Sequence, residues 1–198
     1  MTDARWIKNA PLPTLDVQLE GDVLTASAGD EHATVMLTGD GRIERVDFRC
    51  GEVRRSISRS EARSIVVGEK AWERDVVHFL APGGPAPTMR LGLTVHRAPG
   101  TWSSLPHAFE LNAELGFEEA FLYLLRGENP RALQVGRGVW SDGTPVDEVW
   151  TVENRTLSTI PMGYHPLVGE PGVEVAYVWV YLVKHPHWEK ITKDGQWI

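Results

Sequence analysis

The stretch that decides the fold covers residues 159–183 and reads TIPMGYHPLVGEPGVEVAYVWVYLV. Its first half is rich in proline and glycine, which favour turns. Its second half is an apolar run of Val, Tyr and Trp, residues that favour strands. The apolar run 175–183 is only about half as long as a membrane-spanning helix. The pattern therefore predicts a turn followed by a buried strand, with one histidine, His165, at the corner between them.

The rest of the chain has the same character. Short runs rich in Val, Ile, Thr, Tyr and Trp lie between turn formers, and the chain holds 19 glycines and 13 prolines. Several runs alternate apolar and polar residues, although the phase slips once in RIERVDFRC, residues 42–50. Only SRSEARSI, residues 58–65, suggests a short helix. Many short strands separated by turn signals predict an all-β sandwich or barrel.

One segment, APGGPAPTMR at residues 81–90, is the best internal boundary. A central strand cannot hold so many prolines, because proline has no N–H for the ladder of hydrogen bonds. We therefore expect a shortened, β-rich N-terminal half over residues 1–90 and a C-terminal barrel over residues 91–198.

The charge balance excludes two classes of partner. The chain has 20 Lys and Arg residues against 27 Asp and Glu, a net charge of -7, and its basic residues are scattered. An acidic surface does not attract nucleic acid or an anionic membrane. Cys50 is the sole cysteine, so the chain has no internal disulfide and no thiolate metal cluster. The first residues lack the apolar core of a signal peptide, which predicts a cytoplasmic protein.

Most of the histidines are interpreted as structural. His32, His78 and His96 each fit a surface or hydrogen-bonded side chain better than a ligand. His185 and His187 have the spacing that would place both rings on one face of a strand, but the proline between them opposes a strand.

His107 and His165 differ because of their neighbours. Between them, Glu118 and Glu119 open the apolar run EEAFLYLLRG, and Glu119 shares its parity with Phe121 and the tyrosine that follows. Alternation along a strand predicts that one carboxylate points into the barrel and the other into solvent. Two histidines and a buried carboxylate suit Zn, Mn, Fe or Ni. The alternative is that the histidines cap turns and the glutamates pair with Arg126 or Arg131.

The order of these residues resembles the cupin superfamily. A histidine (His107), a glutamate opening a strand that ends at Gly127, and then PMGYH ending at His165 are similar to its paired motifs. GTWSSLPHAFE and MGYHPLVGEPGVEVAYVWV more specifically resemble the isomerase family that contains 5-deoxy-glucuronate isomerase of inositol breakdown and 5-keto-4-deoxyuronate isomerase of pectin breakdown. The close resemblance covers residues 91–188. It implies a cupin fold, the double-stranded β-helix or jelly-roll barrel, with a degenerate cupin-like N-terminal half.

The resemblance also implies a metal site. Its ligands would be His107, Glu119 and His165, and the ion would be Zn, Mn, Fe or Ni. The second histidine that the family carries falls here on Phe109, which cannot bind a metal. Either three protein ligands hold the ion, with Glu110 as a stand-in for the fourth, or the site is degenerate and empty.

The implied activity is aldose–ketose isomerisation of a uronate-like sugar acid in carbohydrate metabolism. Glu110 and Tyr123 are the candidate bases, and Arg137 or Lys184 would hold the substrate carboxylate. The alternative is a cupin that binds a small sugar-like molecule without catalysis, which Phe109 favours. Iron-dependent oxygenation uses a similar ligand set but has no specific support in the sequence.

The long apolar strand leaves the oligomeric state open. Trp179 and Tyr181 are expected to line the substrate cavity or to face a partner. Exposed strand edges are usually covered in β-rich proteins, which favours a homodimer.

Overall fold

The computed structural model describes residues 12–103, 118–140, 142–160 and 162–183. In these ranges the chain forms sixteen β-strands and a 3₁₀ turn, Lys70–Trp72, without any α-helix. The prediction of an all-β protein is confirmed. No helix within the described ranges is long and apolar enough to cross a membrane.

The first five strands form an antiparallel meander, called the N-terminal sheet. Three of its connections are two-residue turns that begin with Gly21, Gly29 or Gly51, each with φ between 53° and 57°. Tight hairpins favour glycine there, because other residues rarely adopt positive φ. In chain order the strands are β1 (Asp16–Glu20), β2 (Val23–Ala28), β3 (Glu31–Leu37), β4 (Ile43–Cys50) and β5 (Val53–Ser58).

The phase slip of the 42–50 run has a structural cause. Leu37 pairs with Ile43, whereas the preceding residue Met36 pairs with Arg45, so the register shifts between the two pairs. The extra residue on β4 is a β-bulge, which turns the following side chains to the other face. As a result, both Ile43 and Val46 are buried although they lie three positions apart.

Six strands form the central sheet, in the spatial order β13, β10, β16, β8, β7, β6. Every neighbouring pair is antiparallel. The strands are β6 (Arg63–Val67), β7 (Arg74–Leu80), β8 (Met89–His96), β10 (Glu119–Arg126), β13 (Leu157–Thr159) and β16 (Glu174–Leu182).

The remaining strands form the C-terminal sheet, in the order β12, β11, β15, β9, with β14 also paired to β11. They are β9 (Trp102–Ser103), β11 (Arg131–Val139), β12 (Pro145–Glu153), β14 (Met162–Tyr164) and β15 (Leu167–Gly169). The predicted turn and buried strand of residues 159–183 are therefore β14, β15 and β16.

The central sheet has a different core on each face. On one face, Leu93, Val178 and Leu122 lie side by side in register and belong to the apolar cluster shared with the N-terminal sheet. On the other face, Phe121 and Tyr177 belong to a second cluster, shared with strands of the C-terminal sheet. Of the candidate site residues, Glu119, Tyr123 and Trp179 lie on this second face.

Residues 58–65, the best candidate for a short helix in the sequence, form no helix: this segment is the turn after β5 and the start of β6. The strand-forming residues of DEVWTVENRTLSTIP, residues 147–161, predict a single strand, but the structure has two, β12 and β13, separated by a turn in which Arg155 has φ 60°. The boundary at residues 81–90 falls in the connection between β7 and β8, which are neighbours in the central sheet. The division into two halves stays a prediction.

Candidate functional site

Glu119 is the first residue of β10 and points between the central and C-terminal sheets. It lies directly opposite Tyr181 on β16, on the same face as Phe121 and Tyr123, as alternation along the strand predicts. Only 5% of Glu119 is exposed. A carboxylate at this depth requires a partner, because burial removes the water that stabilises its charge.

The partner on the facing sheet is His165. This residue follows β14 and precedes β15, and its side chain is 1% exposed. Its Nε2 lies 3.4 Å from Oε2 of Glu119. The connection between β14 and β15 thus places the ring in the interior, where it meets a carboxylate from a strand more than forty residues away.

The backbone of His165 is held by a buried glutamine. Nε2 of Gln134 donates hydrogen bonds to the carbonyl oxygen of His165 at 2.7 Å and to that of Pro166 at 3.1 Å. Oε1 of the same side chain accepts a hydrogen bond from the Tyr123 hydroxyl at 3.1 Å. Gln134 therefore ties the corner that carries His165 to strand β10, which carries Glu119.

The electrostatics of Glu119 favour a cation beside it. Burial raises the pKa of Glu119 to about 8, because the charged form loses its hydration. The 3.4 Å contact with His165 does not have hydrogen-bond geometry, and Oε2 has no hydrogen-bond donor within the described part of the chain. Imidazole nitrogen and carboxylate oxygen are common ligands of Zn, Mn, Fe and Ni. Glu119 and His165 therefore fit two positions of a divalent-metal site.

Aromatic side chains surround this pair. The ring of Phe121 lies 5.8 Å from that of His165 and 4.5 Å from that of Tyr177. Trp179 is buried, donates a hydrogen bond from Nε1 to Oγ1 of Thr94 at 3.1 Å, and contacts His78 edge-on. Trp179 thus faces the interior and does not lie on an outer surface, as its predicted role in the substrate cavity requires.

Tyr123 is a poor base in this setting. Burial is the main cause that raises the pKa of its hydroxyl above the ordinary value. A phenol that stays protonated donates hydrogen bonds, as it does here to Gln134. The geometry favours a positioning role for Tyr123 over proton abstraction.

The expectation that one of the two glutamates points into solvent is wrong. Glu118 is fully buried, and its Oε2 accepts hydrogen bonds from the backbone N–H of Thr14 at 2.8 Å and of Leu15 at 2.6 Å. The side chain points away from Glu119 because the strand alternates, but the N-terminal segment covers that face.

The proposed arginine partners of the glutamates are also engaged elsewhere. Arg126 forms an ion pair with Glu174, and Arg131 forms one with Glu170. The structure therefore contradicts the alternative in which Arg126 or Arg131 neutralises Glu118 or Glu119.

The other predicted site residues are not brought together. Arg137 lies on the outer face of β11, where it is 63% exposed and pairs with Asp147 at 3.1 Å. His107, Phe109, Glu110 and Lys184 lie outside the described residues. Within the described ranges no group of three or more His, Cys, Asp and Glu side chains could hold a metal. The roles of these residues remain predictions.

Sequence reasoning missed several buried polar residues on the same face. His96 is buried, and neither ring nitrogen has a hydrogen-bond partner in the part of the chain that the structure describes. The expectation of a surface or hydrogen-bonded histidine is therefore wrong for His96. Burial, together with the charge of Arg74, lowers its pKa to about 4. Burial likewise lowers the pKa of His78 to about 4. Gln134 was also missed, although its place in the alternating run ALQVGRGV could have suggested an inward side chain.

Comparison with known proteins places this geometry in context. The model of the KduI/IolB family matches residues 20–198. A 5-deoxy-glucuronate isomerase of Bacillus licheniformis is 32% identical over 114 residues, which are 56% of this chain and 41% of that protein. A 5-deoxy-glucuronate isomerase of Geobacillus thermodenitrificans is 28% identical over 149 residues, which are 73% of this chain and 53% of that protein. The chain thus spans about half the length of these relatives, or less.

A solved structure gives the same result. The crystal structure of an IolB-like protein from Salmonella typhimurium matches with a TM-score of 0.57 and 25% identity, over 72% of this chain and 56% of that one. The layered antiparallel sheets and this structural likeness are those of a cupin-type protein. The family match covers most of the chain, and the chain belongs to the KduI/IolB family. Both the predicted cupin fold and the predicted family are confirmed.

Proposed function

We propose that this protein is a metal-dependent aldose–ketose isomerase of a uronate-like sugar acid. The relatives named 5-deoxy-glucuronate isomerase support a sugar isomerase of this family. The observation that carries the proposal is the contact between Glu119 and His165, a buried carboxylate oxygen without a hydrogen-bond donor in the described ranges and an imidazole nitrogen 3.4 Å away.

The metal would be held by Glu119 and His165, with His107 as the predicted third ligand. When bound, a divalent cation supplies Lewis-acid polarisation of the substrate's carbonyl and hydroxyl oxygens. Because burial raises the pKa of Glu119 to about 8, occupation of the site would also release a proton near neutral pH.

The protein itself supplies position and a dry surrounding. Isomerisation moves one proton between C1 and C2 and one between the two oxygens, so it needs no oxidant or reductant. Phe121, Tyr177 and Trp179 exclude water from the pair, which strengthens every electrostatic contact there. Gln134 fixes the corner of His165 through its carbonyl oxygen. The base stays the predicted Glu110, because Tyr123 is held as a protonated donor.

Metal analysis of the purified protein is the first test. We expect about one Zn, Mn, Fe or Ni per chain in the wild type, and loss of it in His165→Ala. His32→Ala is a matched control, because His32 lies on the outer face of the N-terminal sheet and is not part of the pair. A wild type that takes up no metal on titration would contradict the metal site.

An assay for interconversion of uronates and deoxy-uronates with their ketoses then tests the reaction. Conversion that depends on metal and is lost in His165→Ala would support the isomerase. Bound metal without conversion of any member of the series would contradict it and leave the cupin fold untouched.

A second candidate is a cupin that binds a sugar-like molecule without catalysis. The observation that favours it is Phe109 at the position of the expected second histidine. Calorimetric binding of a uronate to a protein that shows no turnover would support this candidate. The homodimer and the cytoplasmic location belong to the proposal as well, and light scattering after gel filtration tests the former.

A further inference from the structure

A groove of about 370 Å³ lies on the outer face of the N-terminal sheet, the face turned away from the apolar core. Its volume falls within the range of small-molecule sites, roughly 300–1,000 Å³. None of its lining residues belongs to the proposed isomerase site, and only Phe48 among them belongs to the apolar core. It is lined by His32, Thr34, Asp47, Phe48, Arg49, Arg54, Arg55 and Ser56.

The register of the sheet places three nitrogen-bearing side chains in one row across this groove. His32 on β3 is directly opposite Arg49 on β4, and Arg49 is directly opposite Arg54 on β5. Side chains in such pairs start about 5 Å apart, and like charges that face each other destabilise the sheet. Arg49 and Arg54 are therefore an unfavourable pair of positive charges in a protein whose net charge is -7.

The acid in the groove does not neutralise this row. Oδ2 of Asp47 accepts a hydrogen bond from Nε of Arg45 at 3.0 Å, and its Oδ1 accepts one from Ser56 at 2.6 Å. Within the described ranges, the Arg54 guanidinium donates to two backbone carbonyl oxygens, those of Gly51 and Val53, and to no carboxylate. The side chain of Arg49 has neither an ion pair nor a hydrogen bond to any residue that the structure describes. Two guanidinium groups thus remain available to an anion.

We propose that this groove binds the phosphate group of a small organic phosphate ester. A phosphate monoester carries up to two negative charges and three acceptor oxygens, which match two guanidinium groups and one imidazole N–H. A carboxylate has one charge and two oxygens, so a single guanidinium fork would satisfy it. The groove is larger than the phosphate alone and leaves room for the organic part of the ester, beside the hydroxyls of Thr34 and Ser56.

Calorimetric titration of the full chain tests the proposal with four probes: glucose 6-phosphate, inorganic phosphate, glucuronate and glucose. We expect glucose 6-phosphate to bind more tightly than inorganic phosphate. Glucuronate and glucose should bind this groove at least tenfold more weakly than glucose 6-phosphate, because charge-assisted hydrogen bonds to the phosphate supply most of the affinity. Added salt should weaken the binding of both phosphate probes, because salt screens charges that are exposed to solvent.

Two variants locate the binding. R49Q/R54Q should weaken the binding of glucose 6-phosphate about 100-fold, because each charge-assisted contact that is lost contributes roughly tenfold to the affinity. R59Q removes an exposed positive charge outside the groove and should change the affinity by no more than about twofold. E119Q should leave phosphate binding unchanged, which separates this groove from the isomerase site.

The proposal would be overturned if the wild type bound neither glucose 6-phosphate nor inorganic phosphate. It would also be overturned if R49Q/R54Q and R59Q lost the same affinity for glucose 6-phosphate. A third contrary result would be an E119Q protein that binds glucuronate more tightly than glucose 6-phosphate. Because every substituted arginine is exposed, circular dichroism should show that all variants remain folded.

Discussion

The two faces of the central sheet carry the same strands but different chemistry. On the face toward the N-terminal sheet, Leu93, Val178 and Leu122 form an apolar row. One position along, on the face toward the C-terminal sheet, the row consists of Gly92, Trp179 and Phe121. The first face contributes mainly to stability. The second holds buried groups such as Glu119 that reduce stability and supply the candidate chemistry.

Glycine at position 92 is a consequence of this division. A Cβ there would lie 2.2 Å from the indole ring of Trp179 and 2.3 Å from the carbonyl oxygen of Val77. The indole therefore fills the space that a side chain at position 92 would occupy. The face that carries the site thus gains room for aromatic rings by giving up a side chain on the neighbouring strand.

The largest effect that separates the two faces should come from Glu119→Gln. This change keeps the shape and removes the charge, so we expect isomerase activity to fall about 1,000-fold, equivalent to ~4 kcal/mol. The free energy of unfolding of the metal-free protein should stay equal or rise, because a buried carboxylate is removed. Activity assays and urea denaturation measure both quantities. Retained activity, or a large loss of stability, would show that Glu119 belongs with the structural face.

Leu122→Ala should have the opposite pattern. The side chain is 1% exposed in the apolar cluster, so its truncation should cost about 3 kcal/mol in the free energy of unfolding. Activity per folded molecule should change little, since Leu122 points away from Glu119. Urea denaturation and activity at low temperature check this prediction. A fall in activity comparable to that of Glu119→Gln would mean that the two faces are not separable.

His96 should make stability depend on pH. Its pKa lies at about 4 in the folded protein, below the ordinary 6.5, so the unfolded chain takes up a proton first as the pH falls. As the pH falls from 6.5 to 4, the free energy of unfolding should therefore decrease, and this residue should account for up to about 3 kcal/mol of the decrease. Urea midpoints of wild type and His96→Gln, measured without metal across this range, isolate the contribution. Parallel pH profiles for the two proteins would contradict it.

Gln134→Leu should have the smallest effect of the four. The change removes the donor to the His165 carbonyl oxygen and the acceptor for the Tyr123 hydroxyl. The side chains of Glu119 and His165 themselves are not altered. We expect about tenfold weaker metal binding, the usual consequence of losing a group that orients a ligand. Leu133→Ala, on the outer face of the same strand, is the matched control. Metal titration would contradict the role of Gln134 if both variants bound equally well.

Much of the fold could be predicted because alternation and turn residues act locally. The glycine turns at residues 21, 29 and 51, the parity of Glu119 with Phe121, and the apolar strand β16 all follow from neighbouring residues. The weak helical signal at residues 58–65 has no counterpart in the structure, because its helix-forming residues lie in a turn between two strands.

The site was harder to predict because it depends on residues that are distant in the sequence. Local alternation gave the direction of Glu118 but not its environment, since Thr14 and Leu15 cover it from more than one hundred positions away. The same limit applies to His96 and Arg137: His96 is followed by a charged residue and is buried, whereas Arg137 lies among Gly and Val and is exposed.

The contact of Glu118 with the backbone of Thr14 and Leu15 has a consequence for the whole molecule. Two successive carboxylates on β10 engage different layers, one reaching the start of the N-terminal sheet and the next reaching the imidazole of His165. A chain trimmed to begin after Leu15 would lose two donors to Glu118 and with them a restraint on the strand that aims Glu119. A truncation at the N-terminal end, far in the sequence from the candidate ligands, would therefore weaken the binding of an ion by those ligands.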